Sequence, residues 1–220
     1  MQISIPGYKI IREINRGGQA VLYKATQQST GRQVAVKIIR EGPLAGPDEH
    51  ARFEREVQIL AALNHPNIVN ILDRGETADG SYLLVMEYIG SRPLDEHLND
   101  YRQRQGNEKQ DPAELLRLFM KIADAVNAAH LRSVVHRDLK PSNIRIDQNG
   151  EPHILDFGLA RNAMVTMTDE ANPRPVPWAS PEQAEGIASK IDLRSDVYSL
   201  GVILYQMLTG QFPYVIRYPS

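Results

Sequence analysis

Cysteine is absent from this 220-residue sequence. Without thiols the chain forms neither a disulfide framework nor a thiolate metal site. This absence is compatible with a reducing compartment, and we expect a cytoplasmic location. The rest of the composition, 42% hydrophobic and 24% charged residues, suffices for one large domain or two small lobes with a hydrophobic core.

An excess of one charge is also missing, as is a long hydrophobic run. Lys and Arg total 25 against 27 for Asp and Glu, a formal net charge of −2. This balance gives no global attraction to nucleic acid or to an anionic membrane. The longest apolar stretch, at residues 200–208, is shorter than the roughly 20 residues of a membrane span. Residues 1–7 lack the basic and apolar parts of a signal peptide, so we expect no nucleic acid partner and no membrane span within this chain.

The strongest chemical signal lies in residues 134–158. Two β-branched residues lead into a loop that holds a carboxylate, an ammonium and an amide within six positions: Asp138, Lys140 and Asn143. A second short apolar run ends in another carboxylate, Asp156. We interpret the two segments as strand ends that converge on one site. There Asp138 would accept a proton and Lys140 would face a phosphate. Asn143 and Asp156 would supply hard oxygens for Mg²⁺.

These segments resemble two motifs of the eukaryotic-type protein kinases, in the style of the bacterial Ser/Thr kinases. The residues from His136 to Asn143 match the catalytic loop, and Asp156-Phe157-Gly158 match the metal-binding motif. The resemblance implies ATP and Mg²⁺ as cofactors and a protein substrate whose Ser or Thr hydroxyl receives the γ-phosphoryl group. It assigns catalysis to Asp138, Lys140 and Asn143.

The resemblance extends over residues 8–213 and implies an α+β fold with two lobes. We expect a kinase domain at residues 8–220. Residues 1–89 would form a small lobe with an antiparallel sheet and one helix. Residues 90–220 would form a mainly helical lobe without its last helices.

A lysine in the middle of a β-branched strand marks the nucleotide side of the site. Lys37 shares one face of the strand at residues 34–39 with Ala35 and Ile39, because side chains alternate along a strand. A lysine on an apolar face needs a partner. Glu56 flanks the apolar stripe of the next helix, which starts near Pro47. By resemblance, Lys37 and Glu56 form the ion pair that holds the α- and β-phosphates.

The resemblance assigns further residues to the nucleotide. A hairpin with Gly17 and Gly18 would cover the phosphates, although Asn15 and Ala20 stand where the family has glycines. The remaining implied contacts are Ile14, Leu22, Ala35, the gatekeeper Met86, the hinge backbone of Glu87 and Ile89, Asp156, and Arg145.

Arg145 stands where, in the family, an apolar residue usually forms the bottom of the adenine pocket. Its aliphatic part could line the pocket while the guanidinium reaches water, or the side chain could hinder binding of the adenine base.

The second half contains two clear helix signals. One helix starts at Asp111, and another, at residues 196–208, has Ser195 as its cap and Gly210 after its end. The resemblance implies that Asp196 bonds the catalytic-loop backbone. Family members continue with helices that cover this one, so we expect an exposed apolar face that could promote association. Glu182 would also lack its usual ion-pair partner.

The segment after Gly158 resembles an activation segment, in which a phosphate on Thr166 or Thr168 could pair with Arg137. Two rival readings stay open at this point. A non-catalytic kinase-like module that binds nucleotide or partners would fit the family departures, and so would a truncated fragment. Against the non-catalytic module, every charged residue that the chemistry needs is present.

Overall fold

The computed structural model describes residues 5–17, 20–39, 47–77, 80–105, 111–157 and 177–215. The first half forms a five-stranded antiparallel sheet in the order β1-β2-β3-β5-β4, with one helix between β3 and β4. The elements are β1 (Tyr8–Arg16), β2 (Ala20–Gln27), β3 (Gln33–Ile39), α1 (Pro47–Ala61), β4 (Ile71–Glu76) and β5 (Tyr82–Glu87).

The two faces of this sheet contribute to two separate hydrophobic cores. Val34, Val36 and Ile38 of β3 belong to a core confined to the sheet, and Ile39 belongs to the main core. Lys37 alternates with the first set and so lies on the face of Ile39, as the sequence predicts. Ile39 on this face packs into the main core, which also contains residues of the second half of the chain.

In its described residues, the second half contains four α-helices and a small three-stranded sheet in the order β6-β7-β8. The elements are β6 (Arg92–Pro93), α2 (Leu94–Gln105), α3 (Pro112–His130), β7 (Ile144–Ile146), β8 (Pro152–Ile154), α4 (Pro181–Ala184) and α5 (Leu193–Thr209). The predicted start of α3 is confirmed, because the Asp111 carboxylate accepts the N–H of Ala113 at 2.9 Å. The residues of α3 that are buried lie on one face, which packs into the main core.

The predicted cap of α5 is wrong. Asp192 caps this helix and accepts the N–H of Arg194 at 2.8 Å. Ser195 lies inside the first turn and is fully buried. Its hydroxyl donates to Glu182, so a tertiary contact removes it from the cap. The helix ends at Gly210, whose φ of 74° suits the left-handed region that glycine tolerates.

One face of α5 is buried and the opposite face is exposed. Ile203 and Met207 are completely buried in the main core, whereas Val197 is 59% exposed and Tyr205 is 42% exposed. The expected exposed apolar face is therefore present, and association through it stays a prediction. No helix within the described ranges is long and apolar enough to cross a membrane.

A short connection joins the two halves of the molecule. Ile68 pairs with Ile154 of β8 in an isolated parallel bridge, and the Asn67 amide donates to the Pro152 carbonyl at 2.8 Å. Ile68 lies outside β4, which begins at Ile71. The main core contains residues from both halves. The domain limits, and the division at residues 89 and 90, stay predictions.

Candidate active site

The catalytic loop brings three predicted groups into one cluster. The Asp138 carboxylate oxygen Oδ2 accepts the Lys140 ammonium at 2.8 Å and the Asn143 amide at 3.2 Å. The same Asn143 amide also donates to the Asp138 carbonyl at 2.8 Å. Pro141 begins a 3₁₀ turn that ends at Asn143, and this turn folds the amide back onto the carboxylate. A carboxylate, a cation and an amide thus share one small volume.

A buried carboxylate of α5 holds the backbone before Asp138. Asp196 is 1% exposed. Its two oxygens accept the N–H groups of His136 at 2.7 Å and Arg137 at 2.9 Å. The ring of His130 lies 2.8 Å from the same carboxylate. The contact with the catalytic loop is the one that the family resemblance implies for Asp196.

His136 is fully buried beneath the loop and links it to the strand end after β8. Its Nε2 lies 2.9 Å from the Leu155 carbonyl, and its Nδ1 lies 3.3 Å from the Asp138 N–H. A carbonyl only accepts and an N–H only donates, so both contacts fit the neutral ring with its proton on Nε2. Burial lowers the pKa of His136. The ring also packs on Phe157, with the centroids 4.7 Å apart.

The two predicted metal ligands lie at the same end of the β7–β8 pair. Asn143 precedes β7, Asp156 follows β8, and the Leu155 N–H donates to the Asn143 carbonyl at 2.8 Å. The Asn143 amide nitrogen faces Asp138, which leaves its amide oxygen for another partner. In the described ranges, no group of three or more His, Cys, Asp or Glu side chains could hold a metal. The donors fit Mg²⁺, which usually binds one or two protein ligands together with phosphate and water oxygens.

The predicted ion pair between Lys37 and Glu56 is not formed. The Lys37 ammonium lies 2.9 Å from the Asp156 carboxylate, and its side chain is 11% exposed. Glu56 instead lies 3.8 Å from the Arg137 guanidinium. Asp156 has a left-handed backbone, with φ of 53°, at the turn out of β8. The tertiary fold therefore places the Asp156 carboxylate next to Lys37, and the Arg137 guanidinium next to Glu56 of α1.

Four of the predicted nucleotide contacts share one face of the sheet. Leu22 is opposite Lys37, and Ala35 is opposite Met86. Ala35 and Lys37 are two residues apart, so all four side chains project from the same face. Ala35 and Met86 are each 8% exposed. The register alone thus gathers residues from three strands.

The hinge backbone is held by polar contacts that the sequence did not reveal. The Glu87 N–H donates to the Asn70 carbonyl at 3.1 Å. The Glu87 carboxylate binds the Arg32 guanidinium at 2.6 Å and the Asn70 amide at 3.2 Å. The Ile89 carbonyl accepts the N–H of Ser91 at 3.0 Å. These bonds position the backbone groups that the resemblance assigns to adenine.

The hairpin between β1 and β2 is closed by a backbone bond. The Gly17 N–H donates to the Ala20 carbonyl at 2.9 Å, so this donor is used within the hairpin. Ile14 lies at a register shift between Glu13 and Asn15, which bends the strand locally. Gly18 lies outside the described residues, as do Gly158, Thr166 and Thr168.

Two departures from the family pattern have partners in the structure. Arg145 is half-buried and donates to the Ser91 carbonyl at 3.2 Å, so its guanidinium bonds the backbone just after the hinge. The Ser195 hydroxyl bonds the Glu182 carboxylate and lowers its pKa. Glu182 therefore has a hydrogen-bond partner in place of the expected ion pair.

An antiparallel sheet lobe, a mainly helical lobe and a loop that gathers an acid, a lysine and an amide define a protein kinase domain. A model of the protein kinase domain family matches residues 8–218, and the chain belongs to this family.

The chain is 39% identical over 210 residues to the serine/threonine-protein kinase PrkC of Bacillus subtilis. It is 37% identical over 210 residues to the probable serine/threonine-protein kinase PknB of Lactococcus lactis. Each alignment covers 94% of this chain, but 31% of PrkC and 32% of PknB. The chain thus spans about a third of the length of these curated relatives.

The fold is similar to the crystal structure of the PknI kinase domain of Mycobacterium tuberculosis. The TM-score is 0.72 at 24% identity, and the match covers 99% of this chain and 80% of that chain. This likeness confirms the predicted α+β kinase fold.

Sequence reasoning missed the residues that hold the predicted groups in place. Asn70 and Arg32 position the hinge through Glu87, and neither belongs to a motif that was singled out. Gln183, directly after Glu182, donates to the Arg137 carbonyl at 2.6 Å. The signal in the sequence that could have indicated Gln183 is its position directly after the Ser180-Pro181-Glu182 motif.

Proposed function

We propose that the protein is a protein serine/threonine kinase, which transfers the γ-phosphoryl group of ATP to a Ser or Thr hydroxyl of a protein. The observation that supports this proposal best is the cluster of Asp138, Lys140 and Asn143, with contacts of 2.8 and 3.2 Å. Because the chain spans about a third of its curated relatives, the activity is proposed for this domain.

Asp138 acts on the substrate hydroxyl. Its carboxylate orients the hydroxyl and accepts its proton as the oxygen attacks the γ-phosphorus. The bond between the γ-phosphorus and the bridging oxygen breaks, and ADP leaves. The ammonium of Lys140, 2.8 Å from this carboxylate, lies where it can neutralise the transferred phosphoryl group. Catalysis on this proposal is mainly positioning and charge stabilisation.

Lys37 and the two metal ligands act on the nucleotide phosphates. Asn143 and Asp156 would hold Mg²⁺, which when bound neutralises charge on the phosphate oxygens. Lys37, which bonds Asp156, would contact the α- and β-phosphates beside it. Glu56 would support Lys37 once α1 brings the two together. In that exchange Lys37 would leave Asp156, and Glu56 would leave Arg137.

The sheet face and the hinge form the proposed adenine site. Met86 and Ala35 face each other across β3 and β5. Ile14, Leu22 and Arg145 would complete the pocket, with Gly17 and Gly18 over the phosphates. The carbonyl of Glu87 and the N–H of Ile89 would bond the base.

The proposed partners are ATP and a protein substrate. Lys140 in the catalytic loop favours Ser or Thr over Tyr, by family resemblance. ATP as the phosphoryl donor also supports the expected cytoplasmic location.

Phosphate incorporation tests this function. We expect Mg²⁺-dependent transfer of labelled phosphate from ATP to a Ser/Thr protein such as casein, and a loss of at least about 100-fold in Asp138→Asn, because the proton acceptor is removed. A matched control is Asp147→Asn in the turn between β7 and β8. Transfer that is unchanged in Asp138→Asn contradicts the proposal. A wild-type protein that binds nucleotide without transfer would be a non-catalytic module.

A further inference from the structure

The backbone at Arg137 adopts a conformation that a non-glycine residue rarely takes. Its φ is 64°, in the left-handed region, which strains a residue with a side chain and persists only where the surroundings impose it. Arg137 directly precedes Asp138. The direction of the Asp138 side chain therefore depends on how firmly the strained residue is held.

Bonds from two different helices hold the two peptide groups that flank Arg137. On one side, the Arg137 N–H donates to the Asp196 carboxylate of α5 at 2.9 Å. On the other side, the Arg137 carbonyl accepts the side-chain amide of Gln183, in α4, at 2.6 Å. That carbonyl belongs to the peptide unit whose N–H is on Asp138. Gln183 thus bonds the peptide group next to the catalytic carboxylate.

Only an amide satisfies both sides of Gln183. Its side-chain oxygen accepts the backbone N–H of Ser180 at 3.0 Å and the Ser180 hydroxyl at 3.2 Å. The N–H of Ser180 can only donate and the carbonyl of Arg137 can only accept, so the amide has one permitted orientation. A glutamate would keep the Ser180 bonds but would place an oxygen against the Arg137 carbonyl.

We propose that Gln183 is a positioning residue for phosphoryl transfer, which holds the strained Arg137 peptide and thereby directs the Asp138 carboxylate. This inference rests on the proposed kinase function. Gln183 acts through backbone and touches neither nucleotide nor substrate. It also links α4, which begins directly after Ser180, to the catalytic loop. The placement of α4 therefore affects the catalytic carboxylate through one amide.

The variant Gln183→Glu targets this bond, because it retains the acceptor for Ser180 and replaces the donor to Arg137 with an oxygen. We expect kcat to fall about 10- to 100-fold, the loss that follows from a small misplacement of a reacting group. The KM for ATP should stay within about twofold and the Tm within about 2 °C of the wild type. Glu185→Gln is the matched control, since it makes the reverse exchange at an exposed position of the same segment and should leave kcat unchanged.

Amide hydrogen exchange provides a readout that does not need activity. In Gln183→Glu, we expect faster exchange in peptides that cover residues 134–140, with unchanged exchange in α3. Wild-type kcat and exchange in this variant would overturn the proposal. A fall in Tm or a matching rise in the KM for ATP would indicate a general packing role and would overturn it as well. If the wild type transfers no phosphate, the proposed function fails, and the exchange comparison still decides the role of Gln183.

Discussion

The catalytic loop and the nucleotide-binding strands are held in different ways. In the loop, Asp138 contacts Lys140 and Asn143, and Asp196 bonds the backbone on the N-terminal side. In the strands, by contrast, Lys37 bonds Asp156 instead of its expected partner on α1. The groups that we propose to act on the hydroxyl are already together, whereas the pair proposed to hold the phosphates depends on the position of a helix.

Sequence distance explains this difference. The three groups of the catalytic cluster lie within six residues, so one turn suffices to gather them. Lys37 and Glu56 are on different elements, and residues 40–46 between them lie outside the described ranges. Their pairing requires the helix to approach the sheet at one particular place. The following predictions test how far the two regions are independent.

The largest effect is expected from Lys37→Met in the strands. We predict a loss of phosphoryl transfer of about 10²- to 10³-fold, because methionine has a similar length but supplies no charge to the phosphates. Initial rates with labelled ATP measure this loss. Lys24→Met is the control, since the Lys24 ammonium lies over the ring of Tyr88, 4.3 Å from its centroid, on the same sheet. An equal loss in both variants would contradict a specific role for Lys37.

The next effect is expected from Asp196→Ala, which removes the support of the catalytic loop. We predict a decrease of about 3 kcal/mol in the free energy of unfolding, because buried N–H groups of His136 and Arg137 lose their charged acceptor. Urea unfolding measures this change. Asp192→Ala, at the exposed cap of the same helix, should cost about 1 kcal/mol. An equal decrease in both variants would show that the bonds of Asp196 to the His136 and Arg137 N–H groups stabilise the fold no more than a helix cap does.

A smaller effect concerns pH and His136. Burial lowers the pKa of this ring in the folded state, so below about pH 6.5 the unfolded chain binds a proton that the folded chain does not. The free energy of unfolding should therefore fall as the pH decreases below about 6.5, by at most about 1.4 kcal/mol per pH unit. Above about pH 6.5 the His136 ring should not make stability depend on pH.

Urea unfolding between pH 5 and pH 8 checks this expectation. His136→Gln keeps a donor and an acceptor but does not titrate. Its free energy of unfolding should therefore fall less steeply below about pH 6.5 than that of the wild type, by at most about 1.4 kcal/mol per pH unit. His130→Gln is the control, because its ring lies against Asp196, the carboxylate that accepts the His136 backbone N–H. If only His130→Gln weakened the loss of stability at acid pH, His130 and not His136 would be its cause.

The smallest effect is expected from Arg145→Leu. The guanidinium bonds the Ser91 carbonyl, so we predict that an apolar side chain supplies a better floor for the base. The KM for ATP should decrease by less than about tenfold, roughly 1.4 kcal/mol. Arg92→Leu, beside Ser91, should leave this KM unchanged. A higher KM in Arg145→Leu would mean that the guanidinium itself contacts the nucleotide.

Local patterns predicted individual elements well where a single segment carries the signal. The alternation in β3 predicted the face of Lys37, and Asp111 predicted the start of α3. The cap of α5 was missed because Asp192 and Ser195 are both good caps. The hydrogen bond of Ser195 to Glu182 decided between them, and that bond joins residues from different segments.

The sequence by itself indicated the class of protein through the resemblance of its motifs to a known family. It also brought Asp138, Lys140 and Asn143 into one cluster, because their spacing restricts them to one turn. It also predicted that Asn143 and Asp156 lie near each other, since they precede and follow paired positions of two neighbouring strands; their binding of Mg²⁺ stays a proposal. Only the tertiary structure decided which carboxylate Lys37 binds and which amide holds the peptide before Asp138. Those contacts depend on where distant segments come to lie, and a difference of a few ångströms selects one partner over another.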